Sequence, residues 1–264
     1  MRIGFIGLGN MASAIIGGLL AKGVVAPADV IGSAKTEATR TAKAAELGIA
    51  VTPSNREVAE AADVLVLAVK PVFFDEVIAE VRDAVREGTL VISIAAGLTL
   101  AAIEGAFGKP VRLVRCMPNT PALVGAGCTA VCPGPRASAE DEALALQLME
   151  SFGTAMVVPE RLMDAASAVA GSSPAFAFMF IEALADGAVA AGMPRAQAYE
   201  FAAQATLGSA KLLLETGQHP GALKDMVCSP GGTTIEGVRA LEEGGMRAAL
   251  MGAVDACVRK AKQL

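Results

Sequence analysis

Gly7, Gly9 and Ala12 stand in a G-x-G-x-x-A order, directly after the short apolar run Ile3 to Ile6 and directly before a segment with helical spacing. Alone, the triplet is common. Between a strand and a helix, at the head of an alternating β/α sequence, it marks a turn that binds dinucleotides. Gly7 permits the tight turn, Gly9 lets the backbone approach a pyrophosphate, and Ala12 is small enough for helix and strand to pack. The unpaired amides of the helix start, around Asn10, Met11 and Ala12, face the negative charge. A secretion signal could also open on an apolar run, but it has no use for this order of glycines.

The pattern continues along the chain. Strand-like runs RIGFIG, DVIGS, IAVT, DVLVLAV, TLVISIA and VRLVRC alternate with amphipathic segments, and CTAVC and TAMVV, separated by the helical SAEDEALALQLMESFG, extend the series to about residue 158. Such alternation predicts an α/β Rossmann-type domain, a mostly parallel sheet covered by helices on both faces. From about Arg161 the strand-like runs cease. Ala, Leu and Met recur at helical spacing, with turn signals at GSSP, GMPR, GQHPG and SPGG. The expected division is residues 1–159 for the dinucleotide-binding domain and 160–264 for an all-helical one.

Met246, Leu250, Ala253, Cys257 and Ala261 form one stripe of the last predicted helix. The stripe reads either as intramolecular core or as a dimer seam. The second reading gains weight because roughly 100 residues of small-residue helices bury little core alone.

Composition narrows the function classes. A formal charge of -5, one Tyr and no Trp argue against a nucleic-acid surface, which needs concentrated cations and stacking aromatics. The uncharged stretch Ala165 to Ile181 contains Gly171, Ser172, Ser173 and Pro174. These predict two helical pieces, each too short to span a bilayer, so no membrane is expected. Five cysteines without a C-x-x-C pair read as reduced thiols of a cytoplasmic protein. His219, the one histidine, has no cysteine or carboxylate neighbours resembling a metal set, and no metal is expected.

The end of the second strand bears on the cofactor. NAD-binding chains commonly place a carboxylate there for the ribose 2'-hydroxyl. DVIGS instead carries Asp29 at its start and finishes with Ser33, followed by Lys35, Thr36 and, one helical turn on, Arg40. Hydroxyls and cations fit a 2'-phosphate, so the expected cofactor is NADP(H), with NAD(H) as the alternative. The bland reading of Lys35 and Arg40 is that both are solvated.

Three further stretches, ADVLVLAVKP (62–71), RCMPNTP (115–121) and LKDMVCSPGGTTIEGVRALE (223–242), together with GSSPAF, resemble the pyrroline-5-carboxylate reductase family. The resemblance covers essentially the whole chain, and the last stretch is its most specific part. It implies NAD(P)H-dependent reduction of 1-pyrroline-5-carboxylate to L-proline, the final step of proline biosynthesis, by hydride transfer to the imine carbon. It also implies that the helical domain binds substrate and forms a homodimer, often stacked into decamers.

Residue by residue, the resemblance implies that Ser229, Gly231, Gly232 and Thr233 bind the substrate carboxylate. Thr234 offers its hydroxyl near the ring nitrogen, and Lys70 is a second catalytic candidate. Ala68, Val69, Lys70 and Pro71 bring the fourth strand against the nicotinamide, as do Ala95, Ala96 and Gly97 after the fifth. Asn55 matches a position that approaches the adenosine ribose or its phosphate. Met226 departs from the pattern, standing where some members carry a polar residue.

The chemistry is consistent with these assignments. A glycine-rich turn running into a helix start can hold a carboxylate, although it is also an ordinary cap. Hydride transfer to a C=N carbon is helped when the nitrogen is protonated or hydrogen-bonded. His219 precedes the substrate loop beside Pro220, which suits a helix start or an interface. Thr234 can donate a hydrogen bond but not readily a full proton, so the imine arrives protonated or takes its proton from water.

Two rivals remain at this level. A β-hydroxyacid dehydrogenase would resemble its relatives in carrying a lysine on a long helix of the second domain, yet residues 174–191 hold Glu182 and Asp186 and neither Lys nor Arg. A non-catalytic NADP-sensing dimer would keep the glycine turn but has no need for SPGGTT.

Overall fold

The computed structural model describes residues 1–262. The described residues pack as two compact units, Met1–Ser172 together with 257–262, and Ser173–Ala256.

The first unit is built on eight strands: β1 (Ile3–Ile6), β2 (Val30–Ser33), β3 (Ala50–Thr52), β4 (Val64–Leu67), β5 (Leu90–Ser93), β6 (Arg112–Met117), β7 (Gly127–Pro133) and β8 (Gly153–Val157). All eight expected runs are strands of one sheet, in the order β3-β2-β1-β4-β5-β6-β7-β8. Neighbours pair in parallel except β6 with β7. The link from Met117 to Gly127 is shorter than the dozen or so residues that a parallel crossover takes, so the chain must reverse there.

Both faces of the sheet are buried along β1, β2, β4 and β5, and side chains alternate between them with the two-residue period of a strand. Ile3, Phe5, Val64, Val66, Leu90 and Ile92 pack on one face with Ile15, Ile16 and Leu19 of α1 (Asn10–Ala21), and with Leu148 and Met149 of a later helix (Ala139–Met149). Ile6, Leu65, Leu67 and Val91 pack on the other, against three helices, Asn55–Ala61, Phe74–Val81 and Leu100–Phe107. With the helix Glu37–Leu47 following β2, these are α2 (Glu37–Leu47), α3 (Asn55–Ala61), α4 (Phe74–Val81), α5 (Leu100–Phe107) and α6 (Ala139–Met149).

One expectation is overturned after residue 160. Gly171 to Pro174 do not break the apolar stretch. A 3₁₀ turn (Glu160–Leu162), α7 (Met163–Ala166), a π turn (Ser167–Ser172) and α8 (Ser173–Ala190) run on as one helical segment. Proline in a helix removes a donor and leaves the carbonyl four residues back without its partner. Here that carbonyl is Ala170 O, and it accepts instead from Asn119 Nδ2 at 2.9 Å. The widened π turn takes up the local irregularity. By length and composition alone, Glu160–Ala190 would suffice to cross a membrane.

The second unit continues with α9 (Arg195–Thr216), α10 (Pro220–Val227) and α11 (Thr233–Glu243), and α12 (Met246–Ala261) begins within it. Its buried apolar core consists of Ala185, Ala198 and Ala202. Large apolar side chains lie open instead: Phe178 is 68%, Phe201 66% and Leu214 83% exposed. A surface this apolar marks a protein interface or another apolar contact. On α12 the predicted stripe is half-buried at Met246, Ala253, Cys257 and Ala261, while Leu250 is exposed.

Candidate active site

The parallel register aligns four strand ends. Ile6 pairs with Ser33 and with Leu67, and Leu67 pairs with Ser93. Residues just beyond this row leave the sheet at one edge, and that edge carries Gly7, Lys35, Ala68 to Pro71, and Ala95 to Gly97. The connection order changes direction between β1 and β4, which is where open α/β sheets bind ligands.

A cleft of about 670 Å³ opens at this edge, lined among others by Gly7, Gly9, Asn10, Ser33, Lys35, Asn55 and Val69. Gly7 turns at φ +94 under the β4 end, where a Cβ would meet Ala68 O at 2.8 Å. Gly9 caps α1 in extended conformation, with no side-chain cap and no acidic residue in the first helical turn. Nothing lies within 4 Å of where its Cβ would be. The first amides of α1 therefore lack intrahelical acceptors and meet no carboxylate of their own turn, which is an anion site.

The remaining sequence candidates for the cofactor lie along the same edge. Ala12 is 1% exposed, packed in the core behind the helix start, with Met11 half-buried beside it. Ala68 packs against the core, and Ala95 is 3% exposed. Ala96 is half-buried, and Gly97 turns at φ +79. Lys70 and Pro71 are exposed, and the Lys70 carbonyl accepts from Phe73 N at 3.0 Å across the 3₁₀ turn that Pro71 begins.

Charge in the cleft is mixed. Lys35 and Lys43 line it, with Thr36 and Thr39 between them. Arg40 is not a free cation: its Nη1 donates to Ala34 O and to Lys35 O, both at 2.9 Å, and so latches the loop before α2. Thr36 is named with Lys35 from the sequence, whereas Thr39 and Lys43 are not, though their three- and four-residue spacing from Thr36 places them on one side of α2. Glu76 and Glu80 line the opposite wall, from α4. Asn55 joins the two sides, accepting from Ser33 Oγ through Oδ1 at 2.7 Å and donating through Nδ2 to Glu80 Oε2 at 2.7 Å.

The second unit holds the other candidate set. Ser229, Pro230, Gly231 and Gly232 form a type II turn: Gly232 N donates to Ser229 O at 3.0 Å, and Gly231 has φ +65. Pro at the second position and Gly at the third are what that turn requires. A Cβ at 232 would fall on Ser229 Oγ, so that hydroxyl would have to turn away to admit a side chain. Gly232 then caps α11 without a side-chain cap. Its own N–H is spent in the turn, while Thr233 and Thr234 open a helix whose first amides have no acceptor within it. Thr234 is half-buried and Ser229 exposed. His219 starts α10, its Nδ1 accepting from Gly221 N at 3.1 Å.

Cys116 and Cys132 are buried, and burial pushes both thiols up from their ordinary range. That keeps them protonated and inert near neutrality.

Comparison with known proteins agrees with this geometry. Residues 160–264 match the family described as pyrroline-5-carboxylate reductase dimerisation, and residues 2–97 match NADP oxidoreductase coenzyme F420-dependent. The chain is 51% identical over 263 residues to the pyrroline-5-carboxylate reductase of Escherichia coli, covering 100% of this chain and 98% of that protein. A solved pyrroline-5-carboxylate reductase from Coxiella burnetii superposes with a TM-score of 0.93 at 37% identity, covering 99% of this chain and 97% of that one. The Plasmodium falciparum pyrroline carboxylate reductase, solved with NADP bound, superposes at 0.89 with 30% identity, covering 100% and 97%. A dinucleotide cleft, a glycine turn at a helix start and full-length likeness at this level coincide in one sequence, and the chain belongs to the pyrroline-5-carboxylate reductase family.

Proposed function

We propose that this protein reduces 1-pyrroline-5-carboxylate to L-proline with NADP(H), and with NAD(H) as a second cofactor. The observation that carries the reading is the full-length identity to named reductases. The cleft residues fit the cofactor. Gly7, Gly9 and the first amides of α1 would hold the pyrophosphate, and Asn55 and Ser33 the adenosine ribose. Lys35, with Thr36 and Lys43, would meet a 2'-phosphate. Ala68 to Pro71 and Ala95 to Gly97 would flank the nicotinamide. When bound, the reduced nicotinamide supplies the hydride.

The protein's own contribution is binding and orientation. Ser229, Gly231, Gly232 and Thr233 hold the substrate carboxylate, with the amides that open α11 as donors. The Thr234 hydroxyl donates toward the ring nitrogen and stabilises it as the carbon accepts hydride. Lys70 orients substrate or cofactor. Residues 1–159 act as the cofactor domain and 160–264 as the substrate and dimerisation domain. The apolar surface of α8 and α9 is buried in a homo-oligomer of stacked dimers, which also accounts for the apolar character of Glu160–Ala190 without a membrane. The protein acts in the cytoplasm.

The test follows NADPH absorbance with pyrroline-5-carboxylate and, separately, NADP⁺ reduction with 3-hydroxy acids. Oxidation of NADPH by the imine, without turnover of the hydroxy acids, is the expected result. Cofactor binding without any turnover would favour a sensor instead.

A further inference from the structure

Glu80 is a charged residue of the cleft that the proposed function does not use. Helix α4 carries it to the wall beside Asn55, where its Oε2 accepts from Asn55 Nδ2 at 2.7 Å. An ionised carboxylate can only accept, so the Asn55 amide must turn its NH₂ to Glu80 and its oxygen toward Ser33. Ser33 is then the donor in the second bond of the chain, 2.7 Å from Ser33 Oγ to Asn55 Oδ1. Its proton is spent inside the protein, and what the Ser33 oxygen keeps for the cleft is lone pairs. A ribose 2'-hydroxyl can donate to such an oxygen. A 2'-phosphate, largely dianionic at neutral pH, has little to donate and meets an acceptor.

We propose that Glu80 is a positioning residue that, through the Asn55 amide, holds Ser33 as an acceptor and thereby limits the preference for the 2'-phosphorylated cofactor. It acts against Lys35, which lines the same cleft and favours the phosphate, and against Lys43, whose charge is shared with Glu46 at 2.7 Å. The proposal rests on the reading of this cleft as the NAD(P)(H) site. It gives a role to cations and carboxylates in one cleft: the balance between them sets the ratio of two cofactors rather than excluding one.

Glu80→Gln removes the acceptor-only constraint, because a glutamine can offer either its oxygen or its NH₂ to Asn55. The Asn55 amide is then free to turn and donate to Ser33, whose proton becomes available to a phosphate. Glu80→Asp keeps the constraint. Glu76→Gln removes a carboxylate from the same wall without touching Asn55.

The test is calorimetric titration of the purified full-length protein and these variants with 2',5'-ADP and with 5'-AMP, adenosine fragments that differ by the 2'-phosphate and need no turnover. Glu80→Gln should tighten 2',5'-ADP about fivefold while 5'-AMP stays level or weakens. Glu76→Gln should give a smaller gain, and Glu80→Asp none. In a Ser33→Ala background the Glu80→Gln gain should fall to that of Glu76→Gln, since no hydroxyl is left to release and only the loss of charge remains. A Glu80→Gln gain that persists undiminished without Ser33 would reduce Glu80 to a general charge effect and overturn the proposal. So would an equal change for both fragments. If the unaltered protein binds neither fragment nor NADPH, the cofactor reading itself fails, whatever the variants do.

Discussion

Gly7 and Ala68 approach so closely that a Cβ at position 7 would lie 2.8 Å from the Ala68 carbonyl oxygen. The same residue has φ +94, where L side chains are strained. Gly7→Ala therefore meets both a collision with backbone and a torsional penalty, together about 2 kcal/mol or more. The β1 turn would have to move away from β4, and the start of α1 with it. A lowered melting temperature and weakened NADPH binding in a fluorescence titration are the expected pair of results. Retention of both would show that the turn does not need its glycine.

Thr234 is half-buried at the start of α11, directly after the Ser229 to Gly232 turn. If its hydroxyl donates to the imine nitrogen as charge develops, removing it costs one transition-state hydrogen bond. Thr234→Ala should then lower kcat/KM by about 10- to 100-fold, and Thr234→Ser should restore most of the loss. Cofactor affinity, measured without substrate, should be unchanged in both. Steady-state assays on the two variants decide the matter, and full activity in the alanine variant would remove Thr234 from the chemistry.

The strands were legible because a sheet buried on both faces needs continuous apolar runs, which DVLVLAV and TLVISIA supply. The glycine turn was legible because its geometry admits few other residues. Contacts across long sequence separations were not. The carbonyl that Pro174 releases is satisfied by Asn119, 51 residues from Ala170, so local reading broke a helix that tertiary hydrogen bonding keeps whole. Arg40 looked like a cofactor cation because its number of turns from β2 was right. Nothing local says that its guanidinium caps the carbonyls of Ala34 and Lys35. Glu80 gave no signal at all, because its meaning depends on Asn55, 25 residues away.

Asp141 on α6 is 1% exposed and pairs with Arg112 of β6, whose Nε lies 2.9 Å from Asp141 Oδ2. Burial alone would raise its pKa. The Arg112 guanidinium and the Ser138 amide outweigh that and hold the carboxyl below its ordinary value. A depressed folded pKa means stability that is present above the ordinary carboxylate pKa and is lost as pH falls through the folded value. Arg112 is partly open to solvent, its side chain 39% exposed, which tempers the pair. Asp141→Asn should cost about 2 kcal/mol near neutrality, below the range for a fully buried pair. The gap between variant and parent should stay constant above about pH 5 and close below about pH 4. Urea unfolding across this range measures it, and a gap independent of pH would mean that the carboxylate charge contributes nothing.

Asn119 is 7% exposed and serves two backbone groups at once, accepting from Cys128 N at 2.8 Å and donating to Ala170 O at 2.9 Å. The first bond fixes the entry to β7 and the second closes the gap that Pro174 opens in the helical ladder. Asn119→Ala strands both, and each unpaired buried group costs about 1 to 3 kcal/mol. Asn119→Asp keeps the acceptor for Cys128 but turns a carboxylate oxygen toward the Ala170 carbonyl, so it should rescue little. The informative partner is Pro174→Ala, which returns an N–H to the position that can serve Ala170 O. Pro174→Ala should recover part of the loss in Asn119→Ala while adding little to the parent, a coupling that a double-mutant cycle reads directly. Strictly additive effects would mean that the Asn119 amide and the proline do not share one carbonyl.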